Sequence, residues 1–106
     1  MPAYKVLAQS APSAATATTL LTATSATIVS TLQAANRGGT QDSLRIAVRP
    51  AGATLSNLHY ITYGVQVPSG GVFSIQGGIT LANTDVITVY STTGTSSFSA
   101  FGSEGN

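Results

Sequence analysis

The chain has 106 residues, only 7% of them charged, with a formal net charge of +1 and no cysteine. A chain this long holds one domain with one core. A hydrophobic content of 42% argues against disorder, which needs low hydrophobicity and high charge, and the lack of Cys removes disulfides, zinc ribbons and thiol catalysis together.

Soluble domains carry roughly one quarter charged residues, so this one is hydrophilic through Ser, Thr and Gly. Such a surface can be covered by neighbouring subunits without stranding many ions. Near-zero net charge favours self-association and gives little long-range attraction to nucleic acid or an anionic membrane. No apolar run approaches the roughly 18 residues of a membrane span. No continuous apolar stretch follows Lys5, so no signal peptide is expected, and the absence of Cys fits folding in a reducing bacterial cytoplasm.

Residues 1–24 are rich in Ala, Ser and Thr, and Pro12 separates a short apolar piece (Tyr4, Val6, Leu7) from Thr18-Thr19-Leu20-Leu21-Thr22. Interleaved Thr and the lack of charged i,i+4 pairs disfavour a helix. The segment reads as an extended arm followed by a first strand.

Residues 25–106 read as a β-sandwich domain. Ala26 to Ala35 is rich in β-branched residues and runs into Asn36-Arg37-Gly38-Gly39, a hairpin-like turn signal. Ser43 to Arg49 alternates, with Leu44, Ile46 and Val48 on one face and Arg45, Ala47 and Arg49 on the other. Pro50 stops that ladder. In Leu58 to Val67, strict alternation places Ile61, Tyr63, Val65 and Val67 on the apolar face and Tyr60, Thr62 and Gln66 opposite. Pro68-Ser69-Gly70-Gly71 turns the chain. Val72 to Gln76 turns Phe73 and Ile75 inward, Gly77-Gly78 breaks that strand, and Ile79 and Leu81 add a brief apolar contact. Asp85 to Thr92 sets Ile87 and Val89 against Val86, Thr88 and Tyr90, and after Gly94 a last strand turns Phe98 and Ala100 inward. No useful helical period follows residue 24. Short strands between Gly, Pro and Asn turns give an all-β, single antiparallel β-sandwich with an extended N-terminal arm, either a jelly roll or an immunoglobulin-like Greek key. Its edges have one lysine, Lys5, so they are short or covered by another chain.

Chemistry has few candidates. His59 is the sole histidine, no G-x-S-x-G elbow presents a nucleophile, and it reads as a loop or strand-start residue whose ring caps a hydrogen bond. Asp42, Asp85 and Glu104 are too few and too scattered for a carboxylate pair or a metal site; Asp42 reads as a turn residue and Asp85 as the opener of an Asx-type turn. The Gly pairs lack phosphate-loop spacing. No catalytic residue, cofactor or metal is expected. Arg37, Arg45 and Arg49 are the one concentration of charge, suited to contacts between subunits. Tyr60, Tyr63 and Tyr90 are aromatic enough for a sugar-stacking surface, although Tyr63 is assigned to the apolar face.

The strings Asn36-Arg37-Gly38-Gly39-Thr40, Arg45-Ile46-Ala47-Val48-Arg49-Pro50-Ala51-Gly52, His59-Tyr60, Gly78-Ile79-Thr80-Leu81, Asp85-Val86-Ile87-Thr88-Val89-Tyr90 and Ser97-Phe98-Ser99-Ala100-Phe101-Gly102-Ser103-Glu104 resemble a family of small virion proteins of tailed bacteriophages. The resemblance spans residues 25 to 104 and rests on spaced strand and turn motifs. It implies a non-enzymatic β-sandwich subunit of the particle, expected as a capsid decoration or cement protein. Tail, neck, baseplate or fibre-anchoring placement is the alternative, and a carbohydrate- or receptor-binding module is a further one. The expected partners are other copies of the chain, as a homotrimer, and virion proteins such as the major capsid protein, without nucleic acid or membrane. The expected location is the virion, assembled in the host cytoplasm, with residues 1–24 ordering on docking. The expected contact residues are Arg37, Arg45, Arg49, Tyr60 and Tyr90.

Overall fold

The alternating, β-branched segments form eight antiparallel strands in a computed structural model that describes residues 3–104. They are β1 (Ala3–Ser10), β2 (Thr18–Thr22), β3 (Thr27–Asn36), β4 (Asp42–Arg49), β5 (Tyr60–Val67), β6 (Val72–Leu81), β7 (Val86–Ser91) and β8 (Ser96–Glu104). The pairings β1 with β8, β2 with β7, β3 with β6 and β4 with β5 lay the first half of the chain antiparallel against the second. Two further pairings, β3 with β8 and β4 with β7, roll this long hairpin into a sandwich. The first sheet has the order β1-β8-β3-β6 and the second β2-β7-β4-β5. This is the eight-stranded jelly roll of two Greek keys, not the immunoglobulin order.

Leu32, Leu44, Ile46, Ile87, Val89 and Phe98 interlock between the sheets, each 0% exposed. Burying side chains of this size stabilises by roughly 1.5–3 kcal/mol each. The inward faces predicted for β4, β7 and β8 hold, with Leu44, Ile46, Ile87, Val89, Phe98 and Ala100 all buried, while Ala47, Val86 and Thr88 on the opposite face of the second sheet are buried as well.

Four local expectations are revised. The strand expected at Thr18–Thr22 forms as β2, but the segment before it is not an arm, because β1 is already an edge strand of the first sheet. Asn36 to Gly39 does not set a hairpin, because β3 and β4 belong to different sheets and the segment crosses between them. Gly77-Gly78 does not end a strand: β6 runs through to Leu81 and absorbs the pair as a register shift opposite Val29 to Thr31. Ile61 and Tyr63 do not face the core but are 48% and 63% exposed.

The cause of the last revision is Gly64. It has φ +78° and lies where the register jumps from Leu44–Val65 to Arg45–Tyr63. A residue inserted into one strand shifts everything beyond it to the other face. A second shift, between Ile46 and Ala47, leaves Ile61 without a partner on β4. Strict alternation is therefore right for Val65 and Val67 and wrong for Ile61 and Tyr63.

Candidate functional surface

The outer face of the second sheet gathers the aromatic and basic side chains. On β4, Arg45 lies opposite Tyr63 of β5 and opposite Tyr90 of β7. Directly opposed residues on one face have Cβ atoms about 4.5–5.5 Å apart, so the register alone brings the three side chains together. The Arg45 guanidinium carbon is 4.5 Å from the Tyr63 ring centre and 4.3 Å from that of Tyr90. Tyr60, opposite Ala47, meets Tyr63 edge to face with ring centres 4.9 Å apart. The Gly64 bulge is what turns Tyr63 outward into this row.

Among the described residues no carboxylate pairs with Arg45. Asp42 is held by Ser91, Ser96 and Thr93, Asp85 accepts from the Ala51 and Ala82 amides, and Glu104 pairs with Lys5 at 2.8 Å. The guanidinium is positioned by ring faces, an attraction of about 0.5–1 kcal/mol per pair at exposed sites. Tyr63 is thereby an exposed aromatic packed against both Arg45 and Tyr60.

Beside it lies an open concavity of about 410 Å³ lined by Asn57, Tyr60 and Tyr63. Its wall is the 3-10 turn Asn57–His59. The His59 ring, 8% exposed, accepts the Ser56 amide proton at Nδ1 (3.1 Å), and the His59 amide donates to the Ser56 carbonyl. This capping box fixes Asn57 and leaves Leu58 82% exposed. The hydrogen-bonding role expected for His59 is the one it has.

The other predicted contact residues divide. Arg49 shares the face of Arg45, but its Nε donates to Thr88 Oγ1 and its guanidinium also donates to the Ala53 carbonyl, each at 3.0 Å. It fastens the turn after β4. Arg37 stands apart from the tyrosine row in the crossover between β3 and β4; its side chain is exposed and its amide donates to the Thr95 carbonyl. Tyr63 and Asn57 were absent from the predicted contact residues. A lone Gly inside a strand pattern is the signal that could have recovered Tyr63; Asn57 had none.

The carboxylates have structural work. Burial pushes the Asp42 carboxyl up, but hydrogen bonds from Ser91, Ser96 and Thr93 outweigh it and hold the group below the ordinary Asp value. Asp85 is lowered by the Ala51 amide first and the Ala82 amide second. It thus anchors Ala51, whose φ of +53° is costly for a residue with a Cβ. Glu104 is lowered by its hydrogen bond from Lys5. A second, hydroxyl-lined concavity of about 380 Å³ lies between Gln9-Ser10 and Ser97-Ser99, with no tyrosine in its lining. No protein-family model, curated protein or solved structure matches the chain.

Proposed function

We propose that the chain is a non-enzymatic structural subunit of a tailed-bacteriophage particle, acting as a decoration protein on the capsid surface. The observation that carries this reading is a jelly roll whose span between Arg49 and Asp85 has no Lys, Arg, Asp or Glu. That span includes β5 and β6, the edge strands on one side of both sheets. Surface of this kind can be covered by neighbouring proteins without desolvating ions, and added buried area is what a cement subunit contributes. Jelly rolls recur in capsid proteins and lectins, a fold-level analogy that agrees with the reading. The decisive measurement is co-sedimentation of purified protein with emptied phage heads, followed by locating its density in a particle reconstruction. Saturable binding to heads supports the proposal. Density in the tail or neck moves the subunit there, and no particle binding removes the reading.

The concavity beside Tyr63 favours a second reading, a carbohydrate-binding module. Sugars stack their C–H faces on exposed tyrosine rings, and an amide such as that of Asn57 can bond hydroxyls. A glycan array with the wild-type protein and Tyr63→Ala decides it: hits lost in the variant support the reading, and a blank array ends it.

A further inference from the structure

We propose that residues 72–76 of β6 are a self-complementary strand edge that pairs antiparallel with the same segment of a second copy, joining the first sheets of two chains into one continuous sheet. The sandwich has four edge strands, β1 and β6 in the first sheet and β2 and β5 in the second. Folded proteins protect such edges with bulges, charge or shortness. β1 carries exposed Lys5 and a register shift between Val6 and Ala8. β2 has five residues and a shift between Thr19 and Leu21. β5 is interrupted twice. β6 is ten residues long, and its irregularity comes only after Gln76, so Val72 to Gln76 is a regular edge without charge or proline.

The backbone of this stretch is oriented for a partner. The Asn36 amide donates to the Gly71 carbonyl at 3.0 Å, and the register continues as Ala35–Val72, Ala34–Phe73, Gln33–Ser74 and Leu32–Ile75. Hydrogen-bonded pairs alternate along an antiparallel ladder. Phe73 and Ile75 therefore turn their amides and carbonyls to β3, while Val72, Ser74 and Gln76 turn theirs to the open side.

The side chains are self-complementary in the matching register. Centring two copies on Ser74 places Ser74 opposite Ser74 of the second copy and Val72 opposite its Gln76. On the inner face, Phe73 then meets the second copy's Ile75, an aromatic–β-branched pair of the kind that stabilises sheets. No like charges oppose each other. The same contact finishes covering Phe73 and Ile75, which face the core yet are only half-buried. The sheets approach closely along β1 and β2, so the side with unfinished cover is the one where β6 lies. A two-fold contact uses the free edge of both copies and closes. This inference concerns the edge alone and does not depend on the particle reading.

The test is light scattering on size-exclusion chromatography over a wide concentration range, with wild-type protein, Ser74→Pro and Ser74→Cys. Wild type should shift from monomer to dimer mass as concentration rises. Pro at 74 removes an outward amide and leaves the β3 ladder intact, a position where edge strands accept Pro, so this variant should stay monomeric with an unchanged far-UV circular dichroism spectrum. The chain has no cysteine of its own, and a narrow antiparallel pair sets Cα atoms about 5.5 Å apart, within disulfide reach. Ser74→Cys should therefore yield a covalent dimer on mild oxidation. A wild type that remains monomeric, a trimer, or a dimer still formed by folded Ser74→Pro with no cross-link in Ser74→Cys would each overturn the proposal and leave the capsid reading to its own test.

Discussion

Asn36 and Asp42, the last residue of β3 and the first of β4, hold the same β7–β8 turn from two different sheets. The Asn36 side-chain oxygen accepts from Thr95 Oγ1 (2.8 Å) and its amide group donates to the carbonyls of Thr40 and Val67. Asp42 accepts from the Thr93 amide (3.0 Å) and from the hydroxyls of Ser91 and Ser96. Thr93 and Thr95 share a hydrogen bond of their own at 2.6 Å. The two residues are 2% and 1% exposed, so one end of the sandwich is closed by a buried polar network instead of apolar packing.

Removing either partner strands several buried donors or acceptors at a desolvation cost of about 1–3 kcal/mol per group. Asp42→Ala and Asn36→Ala should each destabilise by about 3 kcal/mol. Because both act on one turn, their effects should not add, with a coupling of about 1 kcal/mol in a double-mutant cycle. Urea unfolding of the four proteins measures this, and strict additivity would break the link drawn between the two residues.

Acid should weaken the fold in a defined direction. Asp42, Asp85 and Glu104 all have folded-state pKa values below their ordinary ones. A depressed carboxylate contributes stability that is present above its unfolded value, about 4, and is lost as pH falls through the folded value. Urea midpoints should be flat from pH 7 to about 5 and then fall. Asp42→Asn should start lower and fall less steeply. An equal slope in that variant would show that Asp42 is not part of the acid response.

Gly64 and Gly102 should both resist replacement, for different reasons. Gly64→Ala forces a Cβ into φ +78°, at a cost of about 1–2 kcal/mol, and should also mobilise Tyr63. At Gly102 a methyl would collide with the Ile28 carbonyl oxygen, a backbone atom that cannot rotate away. Gly102→Ala should cost about 3 kcal/mol or more, whereas Gly39→Ala, with open space around it, should change little. Thermal unfolding of the three variants gives the ranking, and Gly39 as the worst would contradict the bulge geometry.

The all-β fold was legible because strands such as β4 and β8 bury one face and so alternate. Strand order was not, because pairing β1 with β8 depends on contacts far apart in sequence that no local pattern records. Most of the outer-face row was legible: Arg45, Tyr60 and Tyr90 were all identified, Arg45 and Tyr90 from strands that pair without a register shift. Tyr63 was missed because a single left-handed glycine reverses the face of its neighbours. Asn36 and Asp42 read as ordinary turn residues, since burial of a polar side chain depends on what the rest of the chain brings over it.

Arg45 should matter to the surface more than to the fold. It touches two rings at 4.5 and 4.3 Å and is only partly buried, so Arg45→Ala should lower stability by about 1–2 kcal/mol, the sum of two exposed cation–π contacts. Arg45→Lys should recover less than half of that, because an ammonium cannot stack flat between two rings as a guanidinium does. The sharper readout is the Tyr63 ring. With Arg45 present, nuclear Overhauser contacts should connect it to both the Arg45 side chain and the Tyr60 ring; in Arg45→Ala the Tyr60 contacts should weaken while those within the core persist. Unchanged Tyr60–Tyr63 contacts would mean that the edge-to-face pair and the Gly64 bulge hold Tyr63 without help. Arg45 would then be free to pair with a carboxylate on a neighbouring protein.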